Sequence, residues 1–317
     1  MRILITGATG WVGGALMRAL REQGHDIVAA IRLSANLSSV KTVQMTAING
    51  TQSWPDWLSD RQVVLHCAAR VHVMADKSKN PIEEYRRTNV FGTLSLARQA
   101  AGAGVRRFVF ISSIKVNGEA TALGRPFFAD DIAAPLDPYG ISKMEAEQGL
   151  RDIATTTGME VVIIRPPLVY GPGVKANFQS LMRWLARGVP LPLGSINNRR
   201  SLVALDNLVD LITTCISHPA AANQTFLVSD DEDLSTTQLL QRMGQVIGRP
   251  AQLIPVPPAL LKVGARLVGK PELAQRLCGS LQVDISKTRQ LLGWNPPISV
   301  DEGLHRAAEG GGHEASN

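Results

Sequence analysis

The sequence predicts an α/β chain: a doubly wound parallel sheet with a smaller, mixed C-terminal lobe. Three observations carry that prediction. The chain opens on a short apolar strand, Arg2–Thr6, followed at once by a glycine-rich turn, Gly7-Ala-Thr-Gly10-Trp-Val-Gly13, and a helical pattern from 12 to about 23. Apolar runs short enough for strands recur at 26–31, 63–69, 108–113 and 161–165, and helical patterns stand between them. The length of 317 residues exceeds what one compact core usually holds, so a large domain with a smaller partner is expected.

Composition narrows the class. Hydrophobic residues make up 44% and charged residues 19%, values of a globular chain. No apolar run approaches a membrane span, and the first residues enter a strand pattern directly, so stable membrane insertion is not expected and a cytoplasmic location is. Cys67, Cys215 and Cys278 lack metal-ligand spacing and read as buried thiols in a reducing compartment; no metal site is expected. The net charge of +6 is dispersed and aromatics are scarce, which favours small phosphorylated ligands over nucleic acid. There is no internal repeat.

Strand, glycine turn and helix make a dinucleotide-binding opening. Gly7 allows the tight turn, Gly10 lets backbone approach a pyrophosphate, and Gly13 permits close helix–strand packing. Thr9, Trp11 and Val12 fill the same turn. Where the NAD version of this arrangement places an acid about 20 residues further on, Arg32 stands, with Ser34 close behind. A guanidinium can grip a phosphate bidentately, so NADP(H) is favoured, with NAD(H) as the alternative. The run at 63–69 ends in Ala68 and Ala69, small enough for a chain passing beside a cofactor, and its His66 reads as a packing or hydrogen-bonding residue. A helix is expected over 81–101, carrying Asn89. Ser112 and Ser113 end the next strand, at the carboxyl edge where ligands bind in parallel sheets.

The loop after them leads to Asp137-Pro-Tyr139-Gly-Ile-Ser-Lys143. Asp137 suits an N-cap and Pro138 a first helical residue. Tyr139 and Lys143, four apart, then rise from one helix face. A free phenol ionises near pH 10, so ionising it at neutral pH needs about 4 kcal/mol. One unit charge about 4 Å away at an effective dielectric of about 20 supplies roughly that. The pair is a candidate proton donor and acceptor.

In chain order, Gly7-x-x-Gly10-x-x-Gly13, His66-x-Ala-Ala, Asn89-Val-x-Gly-Thr93, Ser112-Ser113, Tyr139-x-x-x-Lys143 and Arg165-Pro-Pro-Leu-Val-Tyr-Gly-Pro-Gly173 resemble an extended short-chain dehydrogenase/reductase of the nucleotide-sugar epimerase, dehydratase and reductase group. The resemblance reaches to about residue 308. It implies a Rossmann-type domain over 1–166 plus about 202–218, a substrate lobe over about 167–201 and 219–308, and a flexible tail at 309–317. It also implies Ser113 on the substrate oxygen, Tyr139 as acid/base, Lys143 on the nicotinamide ribose and lowering the tyrosine pKa, and Asn89 as a structural brace. Ala68, Ala69 and Pro166 would line the cofactor. Arg200, or its neighbour Arg199, would grip the diphosphate of a nucleotide sugar, with Asn177 near the same phosphates. One departure stands out: the Gly-Asp-Leu or Gly-Asp-Ile that often contacts adenine has no counterpart near Thr46-Ala-Ile48.

The stretch 255–281 is proline-punctuated and helical, with Lys262, Arg266, Lys270 and Arg276 among leucines. It reads as the outer shell of the substrate lobe, with an interfacial membrane helix as the alternative. Asp284-x-Ser-Lys287 through Gly293-Trp294-x-Pro-Pro297 matches the group's C-terminal helix and turn. The resemblance implies a UDP-sugar oxidoreductase, with dimerisation through the helices bearing Asn89 and Tyr139. Arg32 tips the expectation to a 4-ketoreductase of a UDP-4-keto-6-deoxy-N-acetylhexosamine in surface-polysaccharide precursor synthesis. A UDP-glucose or UDP-N-acetylglucosamine 4-epimerase with tightly held NAD is the alternative, and a catalytically silent nucleotide-binding regulator is disfavoured by the intact Ser113, Tyr139 and Lys143.

Overall fold

The computed structural model describes residues 1–32, 40–71, 80–174, 177–267 and 269–312. Its main sheet has seven parallel strands in the order β3-β2-β1-β4-β5-β6-β9: β1 Arg2–Thr6, β2 Asp26–Ile31, β3 Lys41–Gln44, β4 Val63–His66, β5 Arg107–Ile111, β6 Glu160–Arg165 and β9 Thr225–Leu227. The order reverses at β1, which puts a ligand crevice at the carboxyl ends of β1 and β4. Alternate residues of each strand enter opposite cores. Ile3, Ile5, Val63, Leu65 and Val109 join helices α1 (Trp11–Glu22) and α7 (Leu205–Ser217) on one face. Leu4, Val64, Phe108 and Phe110 join α4 (Thr93–Gly102) and α5 (Pro138–Thr157) on the other, together with Leu58 of the short α2 (Pro55–Leu58) and Trp54 just before it. Burial on both faces is why these strands read as continuous apolar runs rather than alternating ones.

A three-stranded sheet belongs to the second lobe. There β8 (Arg200–Ala204) lies parallel to β7 (Leu168–Tyr170) and antiparallel to β10 (Asp233–Leu234). Its core gathers Tyr170, Phe178, Leu240, Met243 and Leu304. The last two come from α8 (Thr236–Val246) and α12 (Val300–Gly312), and Phe178 from α6 (Asn177–Ala186). Helices α9 (Pro258–Leu267) and α10 (Pro271–Cys278) form the outer part of this lobe, and α11 (Ser286–Leu292) returns to the main sheet.

Several expectations change. Strand β3 escapes sequence reading because Lys-Thr-Val-Gln on a sheet edge is mostly exposed and carries no apolar run. Strand β9 completes the main sheet beside β6, so residues 225–227 do not belong to the substrate lobe. The helix expected over 81–101 is α3 (Pro81–Tyr85), a π-helical stretch Arg86–Gly92, and α4. The expected tail begins four residues too early, since 309–312 continue α12; a Cβ at Gly310 would lie 2.7 Å from Pro172, so the helix end is packed. Residues 313–317, Ser34 and residues 72–79 lie outside the described residues. The three cysteines are unpaired, but Cys67 and Cys278 are only half-buried.

Helix α5 is fastened from below. Its Glu147 is fully buried and accepts hydrogen bonds from Arg165 Nε at 2.9 Å, Arg165 Nη2 at 2.5 Å, Ser112 Oγ at 2.6 Å and Arg151 Nη2 at 3.0 Å. Arg165, 3% exposed, donates also to Asn117 Oδ1 at 3.0 Å. Glu147→Leu leaves that guanidinium buried without its charge partner, which should cost roughly 3–5 kcal/mol. Urea denaturation should register that loss, and Glu147→Leu with Arg165→Met should recover most of it. A single variant as stable as the wild type would contradict this role.

Candidate active site

The glycine turn has the shape of a phosphate cradle. Gly7 takes φ +73°, and a Cβ there would fall 2.7 Å from the Ala68 nitrogen. A Cβ on Gly13 would lie 2.3 Å from the Gly7 oxygen, so helix and turn close only on glycine. Gly10 N-caps α1 with no capping side chain. The first N–H groups of α1, at Trp11, Val12 and Gly13, are left for an anion at the positive end of the helix dipole. Thr9 and Gly10 are exposed at the mouth. The Trp11 indole donates to the Pro172 carbonyl at 2.7 Å and ties this turn to the start of the second lobe. Half-buried Ala68 and Ala69 follow β4, and the Ala68 N–H reaches Thr6 Oγ1 at 3.4 Å. These groups fit a dinucleotide. Arg32 is exposed at the end of β2.

Tyr139 and Lys143 rise from the first turns of α5, where Asp137 accepts from the Gly140 N–H at 2.7 Å and Pro138 begins the helix. The ammonium does not go to the phenol. Lys143 Nζ donates to the Ile111 carbonyl at 2.8 Å, stands 4.4 Å over the Phe110 ring and is 6.0 Å from the centroid of the Tyr139 ring. Burial lowers the Lys143 pKa to about 8, opposed by Cys67 and Glu147. The Tyr139 pKa is raised, first by burial and then by the Asp137 charge, with hydrogen bonding from Ser113 opposing the rise. The expected lowering of the phenol pKa by Lys143 is therefore corrected: desolvation of the phenol and its negative neighbour outweigh an ammonium turned towards a carbonyl. Asp137 is itself ion-paired with Lys115.

Charge is controlled around Lys143. His66 is fully buried between Thr6 Oγ1 at 2.7 Å and Thr93 Oγ1 at 2.9 Å. Burial, with Lys143 adding to it, lowers its pKa to about 3, so it stays neutral and positions strands rather than moving protons. Burial also pushes the Cys67 thiol up to about 12, against the pull of Lys143. His66 and Cys67, the titratable groups after β4, are thus neutral beside Lys143.

Asn89 braces the site from the π-helical stretch. Its amide donates to Ser142 Oγ at 3.0 Å and to the Arg70 carbonyl at 3.0 Å, and its oxygen accepts from the Arg70 N–H at 2.8 Å. Ser142 adjoins Lys143, so this contact joins the π-helical stretch to the first turns of α5. The wider turn fits a close crossing, because a Cβ on Gly92 would lie 2.6 Å from Ile48. Tyr85 packs edge-on against Tyr139 at 6.1 Å. The Pro166 carbonyl accepts from the Ile114 N–H at 3.0 Å and extends the β5–β6 pairing past Ser113.

Arg200 lies in the second lobe. Its Nη1 donates to the carbonyls of Arg276 at 3.0 Å and Gly279 at 3.1 Å, and burial lowers its pKa. It has no carboxylate partner among the described residues. Arg199 is exposed and donates to the Asp233 carbonyl at 3.2 Å. Asn177 opens α6; its side chain lies outside the described set. Sequence reasoning missed the link between the lobes. The loop joining Ser113 to Tyr139 is stitched to residues 280–284 through Thr121 N to Ser280 O and Phe127 N to Gln282 O, each 2.9 Å. Leu281 in turn bridges Arg200. Glu147 was also missed, although it continues the i, i+4 spacing of Tyr139 and Lys143.

A raised phenol pKa makes a spectroscopic prediction. Between neutral pH and about pH 10, the ordinary phenol value, the tyrosinate absorbance of the protein alone and of Tyr139→Phe should superimpose. An ionisation below that range that is lost in the variant would contradict this electrostatic description.

Residues 3–229 match the family described as NAD dependent epimerase/dehydratase. A UDP-glucose 4-epimerase of Vibrio cholerae is 50% identical over 309 residues, covering 97% of this chain and 94% of the relative. The crystal structure of a Thermotoga maritima UDP-glucose 4-epimerase with UDP-glucose superposes with a TM-score of 0.80 at 22% identity, covering 100% of each chain. The structure of MoeE5 in complex with UDP-glucose and NAD gives 0.78 at 25% identity, again over 100% of each. The protein belongs to the NAD-dependent epimerase/dehydratase family of extended short-chain dehydrogenases/reductases.

Proposed function

We propose that this protein is a UDP-sugar 4-epimerase acting on UDP-glucose or its 2-acetamido counterpart. The observation that carries this reading is the 50% identity to the Vibrio cholerae UDP-glucose 4-epimerase across nearly both whole chains. It displaces the ketoreductase as the first expectation, towards which Arg32 tips the family resemblance.

In this reading the sugar O4 lies between Ser113 and Tyr139. The step requires Tyr139 as tyrosinate, which the positive charge of a bound oxidised dinucleotide would favour; the phenolate then takes the O4 proton as C4 loses hydride and returns it when hydride is added to the other face of the 4-ketose. A bound dinucleotide would supply the hydride acceptor and donor. Ser113 holds O4 by a hydrogen bond and Lys143 supports the ribose while keeping positive charge under the site. Gly7, Thr9, Gly10, Trp11, Val12, Gly13, Ala68, Ala69 and Pro166 form the cofactor wall. Arg200 pairs with the substrate diphosphate: a largely buried guanidinium bonded only to carbonyls has charge to spare for an anion. Asn177, at the start of α6, serves the same phosphates, and a homodimer through the helices that carry Asn89 and Tyr139 completes the assembly.

A second reading, a 4-ketoreductase using NADPH, is favoured by two observations. Arg32 stands where a 2′-phosphate would be read, and Tyr139 holds its proton firmly, as a donor in net reduction must.

Incubation with UDP-glucose deuterated at C4, without added cofactor, should yield the C4 epimer with deuterium retained at C4. Absence of the epimer, together with NADPH oxidation by a 4-keto-6-deoxy UDP-sugar, would overturn the epimerase in favour of the reductase. Arg200→Ala removes a charge-assisted contact of roughly 1.5–3 kcal/mol, so nucleotide-sugar affinity should fall about ten- to a hundredfold. Calorimetry should find dinucleotide affinity unchanged; a fall in dinucleotide affinity would place Arg200 at the wrong ligand.

A further inference from the structure

The hairpin of α9 and α10 presents an amphipathic surface that the active site does not use. Leu261 of α9 and Leu277 of α10 pack against the core of the second lobe. On the other side Leu260, Val263 and Leu267, spaced three and four residues apart, form an apolar crest exposed to 62%, 52% and 83%. Ile254 before the hairpin and Leu273 within α10 are exposed as well. Along its flank the hairpin carries Lys262, Arg266, Lys270 and Arg276 against a single carboxylate, Glu272. Glu272 is ion-paired with Arg276 at 3.7 Å, while Lys262, Arg266 and Lys270 make no ion pair among the described residues. Lys262 and Arg266 also line, with Glu272, Ala274 and Gln275, a cavity of about 280 Å³.

Contiguous exposed apolar surface marks an interaction site, and its charge selects the partner. Leucine and valine on the crest, with long-stemmed cations beside them that can reach past it, are the features of a helix lying in a membrane interface. An aqueous anion would not use the crest, and an apolar protein surface would not use the cations. We propose that the α9–α10 hairpin docks reversibly on an anionic bilayer surface. Leu260, Val263 and Leu267 enter the headgroup–acyl boundary, and Lys262 and Arg266 meet lipid phosphates. No helix among the described residues is long and apolar enough to cross a membrane, so the contact is interfacial. Because Arg200 bonds the carbonyls of Arg276 and Gly279, docking holds the lobe that carries Arg200 at the surface. The proposal does not depend on which sugar reaction the protein performs.

The test is co-sedimentation of the full chain with phosphatidylglycerol–phosphatidylcholine vesicles and with phosphatidylcholine vesicles alone. The wild type should pellet with the first and not the second, and added salt should release it in part. A basic side chain near such a surface contributes about fivefold to partitioning, so Lys262→Glu with Arg266→Glu should weaken it at least about 25-fold. Leu260→Ser with Leu267→Ser should abolish pelleting at unchanged circular dichroism. Failure of the wild type to pellet, or equal pelleting on neutral vesicles, overturns the proposal. So does indifference to the leucine changes, which would indicate a polyanion or acidic protein partner. A fall in solution mass of the leucine variant without any vesicle binding would assign the crest to a second copy and also overturns it.

Discussion

Two turns below Tyr139 and one turn below Lys143, on the same face of α5, lies a carboxylate with no exposed surface. Glu147 must be satisfied where it is, and the groups that satisfy it come from the ends of two neighbouring strands: Ser112 after β5 and Arg165 at the end of β6. Arg165 extends the network to Asn117, just past the short turn that follows Ser113. A buried ion pair rarely adds net stability over an apolar equivalent. What it does here is positional. Helix, serine and strand end cannot slide past one another without stranding a charge, so Ser113 and Tyr139 keep their spacing.

Above this anchor the site is arranged by desolvation more than by attraction. The ammonium of Lys143, the imidazole of His66, the thiol of Cys67 and the phenol of Tyr139 crowd the ends of β4, β5 and α5. Burial pushes every one of them towards its neutral form. Lys143 keeps its charge near neutral pH by bonding the Ile111 carbonyl and resting on Phe110. The protein alone therefore offers a protonated phenol, a fixed cation and a nearby serine. That set suits proton transfer coupled to a hydride step at carbon.

Much of this was legible in the residues. The glycine spacing, the short apolar strands, the Asp137-Pro138 helix start and the Tyr139–Lys143 interval are local features, and each has one low-energy realisation. What was not legible depends on long-range contacts. β3 has too little apolar periodicity to declare itself and exists because β2 offers an edge. The π-helical turn around Asn89 follows from the close approach of Gly92 to Ile48, which no local pattern encodes. The rotamer of Lys143 was misread for the same reason: the carbonyl that captures it comes from β5, some thirty residues upstream. Glu147 lay in plain spacing, but its burial depends on Arg165, which comes from the next strand.

The claim that the phenol is the proton-transfer group is tested most directly by the pH dependence of turnover in wild type and in Tyr139→Phe. The variant keeps the ring and its contact with Tyr85 and loses only the hydroxyl, so it should fold and bind dinucleotide normally. General acid–base catalysis contributes about 10²–10⁴-fold, so turnover should fall by that factor, and any pH limb that ionisation of the phenol sets in the ligand-loaded enzyme should vanish. Near-normal turnover in the variant with the same pH limb would contradict the assignment and with it the catalytic reading of α5.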